Sequence, residues 1–99
     1  MFQLINPHNL ATNGDHNTTT LGTAVFSPAT PPGGANYLMV QAVTQNVRYT
    51  LTVGVNPAAT VGFQLVASAA PIIIALGRGV NPRFIREAAG AILQYQWLE

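Results

Sequence analysis

The sequence predicts an all-β domain: a small β-sandwich or barrel, jelly-roll-like, of about six to eight short strands with an extended N-terminal arm. Three observations carry this. From residue 21 onward, short apolar or alternating runs are separated by clusters of Gly, Pro and Asn, at the roughly 8–12-residue spacing of sandwiches and barrels. The runs at 47–53 and 91–98 alternate with a period of two, which belongs to a strand and not to a helix. The chain has 99 residues, 48% of them hydrophobic, enough for one domain with a real core and too few for two.

Residues 1–20 are the arm. Between residues 6 and 20 it is rich in Asn, Thr and His, with Asn13-Gly14 as a turn signal. Such a stretch buries little and is expected to have little structure of its own. Phe2, Leu4 and Ile5 are apolar enough to anchor it. The β-domain then spans residues 21–99.

Leu21 to Phe26 is the first expected strand, stopped by Ser27-Pro28. Pro31-Pro32-Gly33-Gly34 follows as an extended loop, since proline supplies no ladder donor. Tyr37 to Val43 is apolar on both faces, as a central strand requires. Val47 to Val53 puts Val47, Tyr49, Leu51 and Val53 on one face and Arg48, Thr50 and Thr52 on the other. The short Gln45-Asn46 link predicts a hairpin between these two. Gly54 to Thr60 is a loop around Asn56-Pro57, and Val61 to Val66 a short extended piece. Ile72 to Leu76 is β-branched and apolar, followed by a connection over 77–82. Phe84 to Ala88 and Ala91 to Leu98 flank the Ala89-Gly90 turn as a C-terminal hairpin. On the last strand Leu93, Tyr95 and Trp97 share the inward face, and Gln94 and Gln96 the outward one. A helix over Asn81 to Gly90 is the competing reading there, with Asn81 as N-cap, Pro82 at the first helical position and Gly90 as the stop.

Composition excludes several classes of function. Only 7% of the residues are charged, with four arginines, no lysine and a net charge of +1; a typical domain is about 25% charged. A polybasic membrane patch or a nucleic-acid stripe has no material here. There is no cysteine, hence no disulfide, thiolate metal site or cysteine nucleophile. The start lacks a basic segment followed by a long apolar one, and the longest nearly apolar run, Val66 to Leu76, is interrupted by Ser68 and Pro71. Neither a signal peptide nor a membrane helix is expected.

The chemical inventory is thin. His8, His16 and Asp15 are the minimum for a zinc site, but a polar arm offers no rigid support for one. Ser27 and Ser68 lack the surroundings of a nucleophile elbow. Asp15, Glu87 and Glu99 are the whole carboxylate supply, and Gly77-Arg78-Gly79 lacks the lysine and spacing of a phosphate loop. No enzyme activity, metal or cofactor is expected. What stands out instead is Ile72-Ile73-Ile74, which places isoleucine on both faces of one strand, in a chain whose edges carry little charge. One face fills the core, and the other needs a cover. Arg78, Arg83 and Arg86 fall within nine residues, as a docking cluster or as ordinary solubilising charge.

Residues 36–98 resemble a small β-rich family of tailed-phage and prophage proteins. The likeness rests on Val47-Arg48-Tyr49-Thr50-Leu51, then Asn56-Pro57-Ala58-Ala59-Thr60-Val61-Gly62-Phe63-Gln64-Leu65, then Arg83-Phe84-Ile85-Arg86-Glu87 and Ala91-Ile92-Leu93-Gln94-Tyr95-Gln96-Trp97. In that family an Ile/Val-Arg-aromatic strand enters a D-G-x-x-P-T-A-T-x-G-x-x-L turn, and the chain closes on an Arg-Phe-Ile strand and an alternating last strand. Tyr37 to Ala42 fits the preceding strand. Two departures remove charge: Thr52-Val53-Gly54 lacks the family's aspartate, and Ala67-Ser68-Ala69-Ala70 replaces an acidic turn.

The resemblance implies a non-enzymatic bacteriophage virion protein made in the host cytoplasm. The expected role is a capsid decoration or cement protein on the capsid surface that binds the major capsid protein and stabilises the shell. A homo-oligomer, a trimer in the simplest case, is expected, with no nucleic-acid or membrane partner. The expected interface comprises Phe2, Leu4, Ile5, Ile73, Arg78, Arg83 and Arg86. The alternative is a phage fibre, spike or carbohydrate-binding β-module, which would need Tyr95 and Trp97 exposed beside Gln94 and Gln96.

Overall fold

Two antiparallel sheets are built from strands whose side chains alternate between a shared core and the outside. The structure is a computed structural model that describes residues 12–28, 31, 33–52, 54–77 and 80–99. Among these residues there are seven strands and no helix: β1 (Asn17–Thr20), β2 (Tyr37–Val43), β3 (Val47–Thr52), β4 (Phe63–Leu65), β5 (Ile72–Ala75), β6 (Val80–Arg86) and β7 (Ile92–Leu98). One sheet has the order β1-β7-β2-β5 and the other β4-β3-β6. The fold is the expected all-β sandwich.

Register decides what each strand buries. Leu38, Val40 and Ala42 of β2 stand opposite Trp97, Tyr95 and Leu93 of β7, and Leu38 and Val40 also stand opposite Ile74 and Ile72 of β5. These residues form the inner face of the larger sheet. From the smaller sheet, Val47, Leu65 and Phe84 join the same core, with Tyr49 and Leu51 packed against it. Phe84, Leu38, Leu93, Val40 and Val47 are fully buried, and each contributes roughly 1.5–3 kcal/mol by leaving water. Phe26 pairs with Phe84 outside any strand, and its ring lies 5.9 Å from that of Tyr95. This contact brings the β6 edge of the smaller sheet against β7 of the larger one.

Four expectations are corrected. The first strand is not Leu21 to Phe26. It is the polar Asn17–Thr20, paired with β7 through Asn17↔Tyr95 and Thr19↔Leu93. Residues 17–20 therefore belong to the sandwich and not to an unstructured arm. Leu21 continues it by donating its N–H to the carbonyl of Ala91 at 2.9 Å. β2 and β3 do not form a hairpin. Both flanks of β2 are taken, by β7 and β5, and Thr44, in the left-handed region at φ 71°, turns the chain into the other sheet. β6 and β7 are split between the sheets in the same way, so there is no C-terminal hairpin. Finally, β6 begins at Val80, so the connection before it is shorter than expected, and Asn81 and Pro82 lie in a strand and not at a helix start. Pro82 is tolerated because β6 is an edge strand of its sheet.

Candidate interaction surface

The smaller sheet carries an aromatic row that begins in the core and ends in the open. Phe84 on β6 is fully buried, Tyr49 on β3 is half-buried, and Phe63 on β4 is 65% exposed. Their rings are 6.0 Å and 5.6 Å apart in sequence along the row. Register explains the row, since Tyr49 faces both Phe84 and Phe63 across its two ladders. All three rings lie on the inner face, yet the larger sheet does not cover the last of them. Burial pushes the Tyr49 hydroxyl above its ordinary pKa.

Val61 and Val66 flank β4 and are 48% and 54% exposed, and Val55 in the preceding loop is 43% exposed. With Phe63 they are the exposed large hydrophobic residues among those described, and all fall within residues 55–66. β4 and β5 are each the last strand of their sheet. Neither Phe63-Gln64-Leu65 nor Ile72-Ile73-Ile74-Ala75 contains a charge. Two sheet edges thus carry no charge, and one of them, β4, lies within the exposed apolar cluster. Natural sheets ordinarily guard edges with charge, proline or a cover, and clustered apolar exposure marks interaction sites.

β4 is held in place by polar contacts on the outer face. Glu87 accepts from Gln64 Nε2 at 2.8 Å and from Arg48 Nε at 2.7 Å, and Arg48 Nη1 donates to the Gly62 carbonyl at 3.0 Å. The Gln64 amide first, and then Arg48, hold the Glu87 carboxyl below its ordinary value against partial desolvation. Gly62 sits at φ +115°, and a Cβ there would lie 2.7 Å from the Tyr49 carbonyl oxygen. Only glycine lets β4 approach β3 this closely.

Of the residues expected at the interface, the structure describes Ile73, Arg83 and Arg86. Phe2, Leu4, Ile5 and Arg78 lie outside the described residues. Ile73 is half-buried on the outer face, opposite Met39, while Ile72 and Ile74 face inward. Arg83 and Arg86 are three apart on β6 and point to opposite faces. Arg83 is occupied by the Asn56 side chain. Sequence reasoning missed Val55, Val61, Phe63 and Val66. The available signal was the uncharged run Val61 to Val66, but nothing in the sequence makes the strand it contains an edge.

The amide face predicted on β7 is present, but its aromatics are not beside it. Trp97 is 7% exposed, and Tyr95 turns toward Phe26 and the core. Outside, His16, Met39, Gln41, Pro71, Gln94 and Gln96 line a shallow depression of about 60 Å³, with His16 Nε2 3.0 Å from Gln94 Oε1. It has room for a few waters and is too small to enclose a sugar ring. Among the described residues, no group of three His, Cys, Asp or Glu side chains is placed to hold a metal ion, and His8 lies outside them. Among the same residues, no helix is long and apolar enough to cross a membrane. Compared with known proteins, the chain matches no family model, no curated protein and no solved structure.

Proposed function

We propose that this protein is a non-enzymatic structural component of a bacteriophage virion, a capsid decoration protein that acts as a homo-oligomer bound to the major capsid protein. The observation that carries the reading is the uncharged β4 edge with Val55, Val61, Phe63 and Val66 exposed around it. A cement protein works only by burying surface and making hydrogen bonds, and a domain with neutral, unguarded edges is suited to that. The likeness of residues 36–98 to small phage proteins supplies the phage context.

So few charges mean that attachment rests on apolar and neutral polar contacts. Binding should then persist at 1 M salt, where charges are screened over about 3 Å. The test is co-sedimentation of purified protein with capsids lacking it, across a salt series. Retention at 1 M salt supports the reading. Release by moderate salt alone would transfer attachment to the arginines. A failure to bind capsids at any salt would sink the decoration role.

A further inference from the structure

The two edges of the smaller sheet are not guarded alike. On β6 the N–H and C=O of Phe84 are both bonded to Phe26, at 2.8 Å each, and Pro82 has no N–H to offer. β4 has a strand on one side only among the described residues, β3. It holds neither charge nor proline and stands among the exposed Val55, Val61, Phe63 and Val66. An edge left in this state is a template for a further strand. We propose that β4 of a second copy occupies it: two copies pair edge to edge, antiparallel, about a twofold axis at Gln64. This rests on the homo-oligomer proposed above and names the contact that forms it.

A twofold contact sets one surface against itself, so the edge has to be complementary to itself, and this one is. With Gln64 on the axis, Phe63 of each copy opposes Leu65 of the other, and Gln64 opposes Gln64. Phe63 and Leu65 lie on the inner face and Gln64 on the outer one. Aromatic ring then meets aliphatic side chain on one face, and amide meets amide on the other. The row Phe84–Tyr49–Phe63 continues into Leu65 and Val47 of the second copy. The Gln64 amide is free to take part. Its Nε2 donates to Glu87 at 2.8 Å, which leaves, among the described residues, its second N–H and its Oε1 for the amide across the axis. Antiparallel is also the sense of every ladder within the chain.

Charge and size fit the same occupant. Like meets like at a twofold axis, so net charge there would repel. Val61 to Val66 are uncharged, and Glu87 beside Gln64 is paired with Arg48 at 2.7 Å. The joined sheet runs β6-β3-β4-β4-β3-β6, and both of its ends are the guarded β6, so the pairing stops at two copies instead of growing into a fibre. The four exposed apolar side chains present roughly 300 Å² per copy, against about 800 Å² per partner in a standard interface. The dimer is therefore a weak one that forms as concentration rises.

Sedimentation of the full chain from about 5 to 500 µM spans the range of a weak dimer. A shift from monomer to dimer is expected. A monomer throughout, or a trimer or larger species, overturns the proposal. Gln64 then tests the axis itself. Gln64→Glu and Gln64→Lys each set like charges opposite one another and should each associate roughly tenfold more weakly than wild type, while their equal mixture associates at least as well as wild type. A single variant that associates like wild type with unchanged circular dichroism, or a mixture no better than its components, overturns the proposal. The chain has no cysteine, so Gln64→Cys with a short bis-maleimide gives a further readout that adds no charge to the edge. Cross-linked dimer should exceed that of Thr18→Cys, an exposed site on β1, by about tenfold for so close a pair; equal yields overturn the proposal. No capsid enters these measurements. Failure here leaves capsid binding to be decided by co-sedimentation, and failure to bind capsids leaves the dimer standing.

Discussion

At φ +115° and with the Tyr49 carbonyl in the way of any Cβ, Gly62 has no substitute. Gly62→Ala should destabilise the domain by about 1–3 kcal/mol from backbone strain alone, with more from the clash, read as a lowered denaturation midpoint with unchanged slope. The glycine was visible in the sequence only as a member of a turn pattern. Its reason, contact with a backbone 13 positions earlier, needs the pairing of Tyr49 with Phe63. Glu87 makes a second prediction at this scale. Its pKa is lower in the folded state than in the unfolded chain. Its contribution is therefore complete above the ordinary carboxylate value near 4.5 and is lost as pH falls through the lowered value. Wild type and Glu87→Gln should differ in thermal stability at neutral pH and converge in acid. A gap that stays constant down to low pH would mean the carboxylate charge is irrelevant to this contact.

Strands β2, β3 and β7 were legible nearly to the residue, because long alternating or doubly apolar runs leave little choice. β1 was not. Asn17-Thr18-Thr19-Thr20 carries no apolar signal, and it becomes a strand because β7 offers a free edge whose inward residues, Leu93 and Tyr95, require a neighbour. The pairing of consecutive strands was illegible for a different reason. A link such as Thr44-Gln45-Asn46 suits a hairpin or a crossing between sheets equally well, and only the occupancy of both flanks of β2 decides. The apolar rim escaped notice because Val61, Phe63 and Val66 have the composition of core residues; exposure follows from β4 being an edge. Truncation separates the arm from the sandwich. Removing residues 1–11 should leave the melting temperature within a few degrees of the full chain. Removing residues 1–20 takes β1 away from β7 and should lower it clearly, in a thermal melt followed by circular dichroism. Equal melting temperatures would mean that β1 adds nothing to the sandwich.

Across the whole molecule, chain order and spatial order disagree. Only β3 and β4 are neighbours both in sequence and in a sheet; each other ladder joins strands separated by at least one more strand. Closing such distant pairs costs loop entropy before any contact repays it, and folding is slow for that reason. The position of β7 sharpens this. It is the last strand in the sequence, and it lies inside the larger sheet, between β1 and β2, where Leu93 and Trp97 complete the core. During synthesis, then, β1 and β2 emerge with nothing to join them, and the isoleucines of β5 have only half a sheet to lie on. The ribosome exit tunnel holds back the piece on which all of this depends. Nascent chains stalled before residue 92 should remain protease-sensitive throughout, with protection arriving in one step once Leu98 is clear. Until that moment the emerging chain is unfolded and carries few charges, a state open to aggregation unless it is shielded.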